Sequence, residues 1–275
     1  SQTEPEGLEQ ILDIPYIDDG EKCHLLDIYY PQGTTEKLPV IIDIHGGGWM
    51  YGYKEINKYF CLKLAQKGFL VASINYRLAG SVLFDDQIRD IFAALKWLGE
   101  NLSQYPADME NIFLAGDSAG GHFACVTTAV NLNEDMQKDF GVEYIGFDFR
   151  GVAAICPAVD LLSPNFLMNV NVPILLGEKS YKSPYRKYLD VNRIATKDFP
   201  PFYINTATGD FLRSQVYKLK KIFDKNGTEY RFHDFTEKLD GKNLTHVFNV
   251  VDPFSVYGDM ANEEIAEFFK SRIKK

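Results

Sequence analysis

Residues 111 to 121, Asn111-Ile112-Phe113-Leu114-Ala115-Gly116-Asp117-Ser118-Ala119-Gly120-Gly121, decide the fold. The apolar run Ile112 to Ala115 reads as a buried strand, and it breaks into Gly-x-Ser-x-Gly before an apolar helix begins. A serine in that setting sits on a strand-to-helix turn so tight that only small residues fit two positions before and after it. Such a nucleophile elbow presents the Ser118 hydroxyl at a helix N-terminus. The pattern alone arises by chance, so its weight comes from the strand before it and the helix after it. The competing reading is a glycine-rich turn with an idle serine.

A second motif favours the elbow. Val40 to Ile44 is another apolar run, carrying one internal Asp43, and it ends in His45-Gly46-Gly47-Gly48-Trp49. Acyl transfer through a serine needs donors aimed at the oxyanion of a tetrahedral intermediate, and backbone N–H groups are rigid and already placed. Three consecutive glycines let the backbone approach a ligand without interference from Cβ atoms. A His-Gly-Gly-Gly loop after a strand, followed later in the chain by an elbow, is the order expected of an oxyanion loop.

With these motifs the chain resembles the α/β-hydrolase carboxylesterases of the hormone-sensitive-lipase type, and the feruloyl and acetyl esterases and arylformamidases close to them. The matching residues are His45 to Trp49, Asn75-Tyr76-Arg77-Leu78 at the close of the next strand, Gly116 to Gly121, Gly209-Asp210 and His246-Val247-Phe248. The resemblance runs from about Leu26 to the C-terminal helix. It implies that Ser118 is the nucleophile and that the N–H groups of Gly47, Gly48 and Ala119 form the oxyanion hole.

A serine is a poor nucleophile at neutral pH. It needs a histidine to take its proton and a carboxylate to hold that histidine in the right tautomer. In this fold the order is Ser, then Asp or Glu, then His. His24 and His45 precede Ser118 and fail on order, while His122, four residues after it in the helix, is better placed for a structural role. His233 falls in the strand-like run Glu229 to Phe235, whereas His246 follows a polar loop, where catalytic groups usually sit. His246 is therefore preferred, and a late His-x-Phe agrees with the family pattern. Asp210 ends the strand-like run Pro201 to Ala207, 92 residues after Ser118 and 36 before His246, and is the preferred acid. Asp160, after the strand Val152 to Ile155, is its main rival, and Asp234 and Asp240 read as solvated loop or strand-end residues. Asp117 is adjacent to the serine, where side chains diverge, and is assigned to loop backbone rather than to the triad. Trp49 and His45 are read as substrate contacts; for Trp49, Tyr51 and Tyr53, core packing is an equal alternative.

The rest of the chain reads as one α/β domain over residues 1–275, with ample material for a core. Asp18-Asp19-Gly20 signals a hairpin between two strand-like runs. Phe69 to Tyr76 is a buried strand, and the helix after it presents Ile88, Ile91, Phe92, Leu95 and Leu98 at helical spacing. Alternating strands and helices predict the α/β-hydrolase architecture, a mostly parallel sheet with helices on both faces. Residues 157–200 break the rhythm with Pro157, Pro164, Pro173, Pro184 and Pro200, and are expected to form a small cap or insert. Its apolar residues Phe166, Leu167, Met168, Ile174, Leu175 and Leu176 are expected mostly to pack onto the sheet, with contact to an acyl group as the alternative. The short segment before the first hairpin suggests that the large N-terminal cap of many relatives is absent.

A formal charge of −9 argues against nucleic acid or an anionic membrane as the principal partner. The expected partner is a small-molecule ester, with a homodimer as one possible assembly. No apolar run is long enough to span a membrane. Cys23, Cys61, Cys125 and Cys156 lack metal-ligand spacing and read as free thiols of a cytoplasmic protein, although a processed N-terminus leaves secretion open. Neither a phosphate loop nor a dinucleotide fingerprint occurs, so no cofactor and no metal are expected.

Overall fold

The computed structural model describes residues 4–163 and 166–274, without the side chains of 166–170. Eight strands form one sheet: β1 (Leu8–Pro15), β2 (Leu25–Pro31), β3 (Leu38–Ile44), β4 (Leu70–Ile74), β5 (Ala107–Asp117), β6 (Val152–Ile155), β7 (Phe202–Ala207) and β8 (Tyr230–Phe235). Their order is β1-β2-β4-β3-β5-β6-β7-β8; β1 and β2 are antiparallel to their neighbours, and the pairs from β4 through β8 are parallel. The central strands are mostly apolar because both faces are covered, with Asp43, Ser73 and Asn205 as buried polar exceptions. Successive side chains point to opposite sides, as a two-residue period requires. Val40, Ile42, Ile112, Leu114 and Val152 enter one core, whereas Ile41, Phe113, Ala115 and Ala153 enter the other.

Helices α1 (Lys58–Gln66), α2 (Phe84–Asn101), α3 (Ala119–Asn131), α4 (Glu134–Phe140), α5 (Phe166–Leu176), α6 (Arg213–Asn226), α7 (Phe248–Val251) and α8 (Val256–Lys270) connect and cover the strands. The first core takes in α2, α3 and α6, and the second takes in α1 and α8. In α2, Ile88, Ile91, Leu95 and Leu98 are all fully buried, as their spacing predicts. A two-stranded ribbon, β9 (Lys238–Leu239) with β10 (Lys242–Asn243), stands apart from the sheet.

The N-terminal strands pair antiparallel, but they do not meet in a tight hairpin. Residues 16–24 form a longer loop, closed by Tyr16 N–H to the His24 carbonyl at 2.9 Å and by a 2.6 Å contact of His24 Nδ1 with Asp19 Oδ2. In the connection from β6 to β7, Leu175 and Leu176 are buried in the core while Ile174 is 36% exposed, so the two leucines follow the packing expectation. Pro164 and the side chains of Phe166, Leu167 and Met168 lie outside the described residues. No helix among the described residues is long and apolar enough to cross a membrane.

Candidate active site

The elbow forms where β5 runs into α3. Ser118 has φ 53° and ψ −114°, a conformation costly for a residue with a Cβ. Two backbone bonds over-determine it: Ser118 N–H donates to the Ile155 carbonyl at 2.9 Å, and the Ser118 carbonyl accepts from Ala158 N–H at 3.0 Å. The glycine at 120 is required by close approach, since a Cβ there would lie 2.0 Å from the Ile44 carbonyl oxygen. The elbow therefore touches the end of β3, where the glycine loop begins.

That loop turns back on itself through Gly47 (φ 117°) and Gly48 (φ 60°), and a Cβ on Gly47 would lie 1.8 Å from the Tyr51 carbonyl. The N–H groups of Gly47 and Gly48 donate no hydrogen bond among the described residues. Ala119 is the first residue of α3, where a helix supplies its N–H with no internal acceptor. Asp117 ties the loop to the elbow: its Oδ1 accepts from Gly46 N–H at 2.8 Å and from Asn57 Nδ2 at 2.9 Å. The same Asn57 amide donates to Asp43 Oδ2 at 3.0 Å, and Ser73 Oγ donates to that oxygen at 3.2 Å. Burial, with the neighbouring charge of Asp117, pushes the Asp43 carboxyl up to about 7. Burial also raises Asp117, against the opposing hydrogen bonds from Asn57 and Gly46.

His45 does not contact the pocket, contrary to the sequence expectation. It is fully buried, stacked on Tyr76 with ring centroids 4.4 Å apart, and its Nδ1 lies 2.7 Å from the Gly46 carbonyl. Burial lowers it to about 4, so it is a neutral support for the glycine loop. Tyr76 O–H donates to the His45 carbonyl at 2.8 Å, and Arg77 pairs with Asp90 through two 2.7 Å bonds. The Asn75-Tyr76-Arg77 segment thus braces the loop from behind.

The histidine arrives from the other end of the sheet. Gly209 N–H donates to the Leu244 carbonyl at 2.9 Å and Gly209 bridges Thr245, which seats the loop carrying His246 beside Asp210. His246 Nδ1 lies 2.7 Å from Asp210 Oδ1. Asp210 also accepts from Thr206 Oγ1 at 2.7 Å and from Leu212 N–H at 2.8 Å. Burial raises the Asp210 carboxyl, but these hydrogen bonds and the charge of His246 outweigh it and hold the group below the usual carboxylate range. His246 Nε2 is shielded from solvent and has no hydrogen-bond partner among the described residues.

The rival residues are occupied elsewhere. Asp160 is paired with Lys218, Asp234 with Arg213 and His233 with Glu264, and Asp240 sits in the β9–β10 turn. His122 Nε2 lies 3.1 Å from the Tyr188 carbonyl, a structural contact. Cys156, Asp210 and His246 are the one group of potential metal ligands among the described residues, their ligand atoms lying within 4.8 Å of one another. Two of the three already satisfy each other by hydrogen bonding.

Ser118 and His246 line one pocket of about 460 Å³ together with Gly47, Gly48, Trp49 and Asp117. Ile56, Phe211, Leu212 and Val250 give it apolar walls, and Asn57 and Asn171 add amides. Trp49 is 2% exposed, so it is both a core residue and a pocket wall. Tyr51 also lines this pocket, whereas Tyr53 lines a different one. Phe211, Asn57 and Asn171 had no local motif to announce them. For Phe211 only its place next to Asp210 was a signal; its ring packs on that of His246 at 4.3 Å.

This sheet, elbow and histidine loop define an α/β-hydrolase. A family model described as BD-FAE matches residues 26–214, well over half of the chain, and the chain belongs to that family. It is 36% identical over 253 residues to the probable isoprenylcysteine alpha-carbonyl methylesterase ICMEL1 of Oryza sativa subsp. japonica, covering 87% of this chain and 58% of that protein. It is 28% identical to carboxylesterase NlhH of Mycobacterium tuberculosis, covering 75% of this chain and 64% of that protein. The chain thus spans somewhat under two thirds of the length of these curated relatives. Among solved structures, esterase B from Lactobacillus rhamnosis inhibited by a C4-C4 SN3 tributyrin phosphonate superposes with a TM-score of 0.92 at 30% identity, covering 98% of this chain and 88% of that one.

Proposed function

We propose that the protein is a serine ester hydrolase acting through an acyl-enzyme on small, uncharged esters with short acyl or aromatic groups. The observation that carries this reading is the arrival of Ser118 and an Asp210-paired His246 in one apolar pocket beneath the glycine loop. Ser118 Oγ attacks the ester carbonyl as its proton passes to His246 Nε2, and Asp210 stabilises the imidazolium that results. The N–H groups of Gly47, Gly48 and Ala119 receive the oxyanion. The tetrahedral intermediate expels the alcohol, which takes the proton from His246. Water then attacks the acyl-enzyme with His246 as base, and the acid leaves Ser118 free.

Pocket size and lining support the substrate class. Among the described residues no lysine or arginine lines it, so no fixed positive side chain there would compensate a carboxylate or phosphate on the substrate. Likeness to the Lactobacillus esterase inhibited by a tributyrin phosphonate supports short acyl chains as the substrate class proposed for this chain. Residues 157–200 act as a small cap, which Asn171 of α5 supports by reaching the pocket lining.

Ser118→Ala should lower turnover of p-nitrophenyl butyrate on the order of 10⁴-fold while the protein stays folded. A fluorophosphonate probe should modify Ser118 in the wild-type protein. Retention of most activity by the variant would overturn the assignment. A panel of acetyl, butyryl and feruloyl esters and an aryl formamide ranks the substrates. The fastest is expected to be acetyl or butyryl; preference for the formamide would instead make the protein an arylformamidase.

A further inference from the structure

Cys156 is fully buried, yet it holds φ 45°, a left-handed conformation that disfavours any residue with a side chain. It follows β6 directly, and its N–H is shared between the Asn205 carbonyl at 3.1 Å and Asn205 Oδ1 at 3.3 Å. Its Sγ accepts the N–H of Val247 at 3.4 Å. Val247 is itself left-handed, with φ 49°, which is rarer still for a β-branched residue. The catalytic histidine therefore lies between two clamps. On one side Gly209 holds Leu244 and Thr245, and on the other the thiol holds Val247.

The segment around Cys156 also holds the serine. Ile155, one residue before it, accepts the Ser118 N–H, and Ala158, two residues after it, donates to the Ser118 carbonyl. One short stretch of chain thus holds the backbone of Ser118 and that of Val247, the residue after His246. The thiol faces the triad as well, its sulfur within 4.8 Å of ligand atoms of Asp210 and His246. Burial keeps it protonated and hence uncharged there.

We propose that Cys156 is a positioning residue: its sulfur locks the His246 loop to the strand end that holds Ser118, and so sets the serine-to-histidine spacing. This rests on the reading of Ser118, His246 and Asp210 as a triad. Strain concentrated at two adjoining residues that share a hydrogen bond is the signature of geometry held for function. A glycine would fit the backbone at 156 with less strain but would leave Val247 N–H without its acceptor.

The test compares Cys156→Ala, Cys156→Gly and Cys156→Ser in the full chain, using p-nitrophenyl butyrate turnover, the rate of fluorophosphonate labelling of Ser118, and Tm. The alanine and glycine variants should lose kcat on the order of tenfold with KM within about twofold, because the base is displaced while the walls from Gly47 to Ile56 stay in place. Labelling should slow by the same factor. Serine, which can accept the same N–H, should recover kcat to within about threefold of wild type. Should the alanine variant fail to fold, the glycine variant, relieved of strain, decides alone. A kcat within twofold of wild type in either folded variant, or a loss carried by KM, overturns the proposal. A wild-type protein that neither hydrolyses esters nor labels at Ser118 would instead overturn the triad reading itself.

Discussion

Two buried carboxylate sites flank Ser118, and they have opposite electrostatic fates. Asp210 accepts from an imidazole, a hydroxyl and a backbone N–H, and stays below the usual carboxylate range. Asp43 accepts from an amide, a hydroxyl and a thiol, yet it is pushed up to about 7. The number of donors is the same, so donor count does not explain the difference. What separates the sites is burial together with charge: Asp43 is the more completely desolvated and shares Asn57 with a second carboxylate, Asp117, while Asp210 faces the imidazole of His246. Like charges brought together in a dry site cannot both ionise without cost. One side of the serine is built to hold a charge beside the His246 imidazole. The other is built to fix a loop.

The largest effect expected from breaking this contrast is on the charged side. Asp210→Asn keeps the hydrogen-bonded shape but favours the tautomer that puts the His246 proton on Nε2, where it cannot accept from serine. Turnover of p-nitrophenyl butyrate should fall on the order of a thousandfold or more, with Tm little changed. A fall of less than tenfold would mean that Asp210 does not orient the base.

On the side of Asp43 and Asp117 the effect is smaller and different in kind. Asp117→Ala removes the acceptor for Gly46 N–H and one acceptor for the Asn57 amide, leaving buried donors unpaired at a cost of about 1–3 kcal/mol each. A loosened glycine loop should cost kcat on the order of ten- to a hundredfold, accompanied by a clear drop in Tm. An unchanged Tm would show that the loop is held by other contacts.

The smallest effect concerns Asp43 and pH. Its folded pKa lies above the ordinary value near 3.8, so the folded state binds the proton more tightly than the unfolded one. Stability linked to this group is therefore full below pH 3.8, declines as pH rises toward about 7, and levels off above it. Asp43→Asn should flatten the part of the Tm decline between pH 5 and 8 that Asp43 causes, a matter of a few degrees. Parallel wild-type and variant curves would place the ionisation elsewhere.

The elbow and the glycine loop were legible because their chemistry is local. Strand, turn and helix lie within eleven residues around Ser118, and backbone N–H donors need only glycines in a row. Asp210 and His246 were legible in order and type, since each ends a recognisable element. The role of His45 was not legible. Its place in the loop motif suggests substrate, but its ring turns inward to stack on Tyr76, a residue 31 positions away. Asn57 and Cys156 escaped for the same reason, because each reaches the site through a long-range contact that leaves no spacing behind.

By itself the sequence determined the layered α/β architecture and singled out Ser118, Asp210 and His246 as the candidate serine, acid and histidine, because hydrophobic period, glycine placement and chain order are properties of short segments. Only the tertiary structure decided which carboxylate stays charged, which histidine is buried support, and which residues wall the pocket. Those outcomes depend on distance and desolvation between segments that the folded sheet brings together.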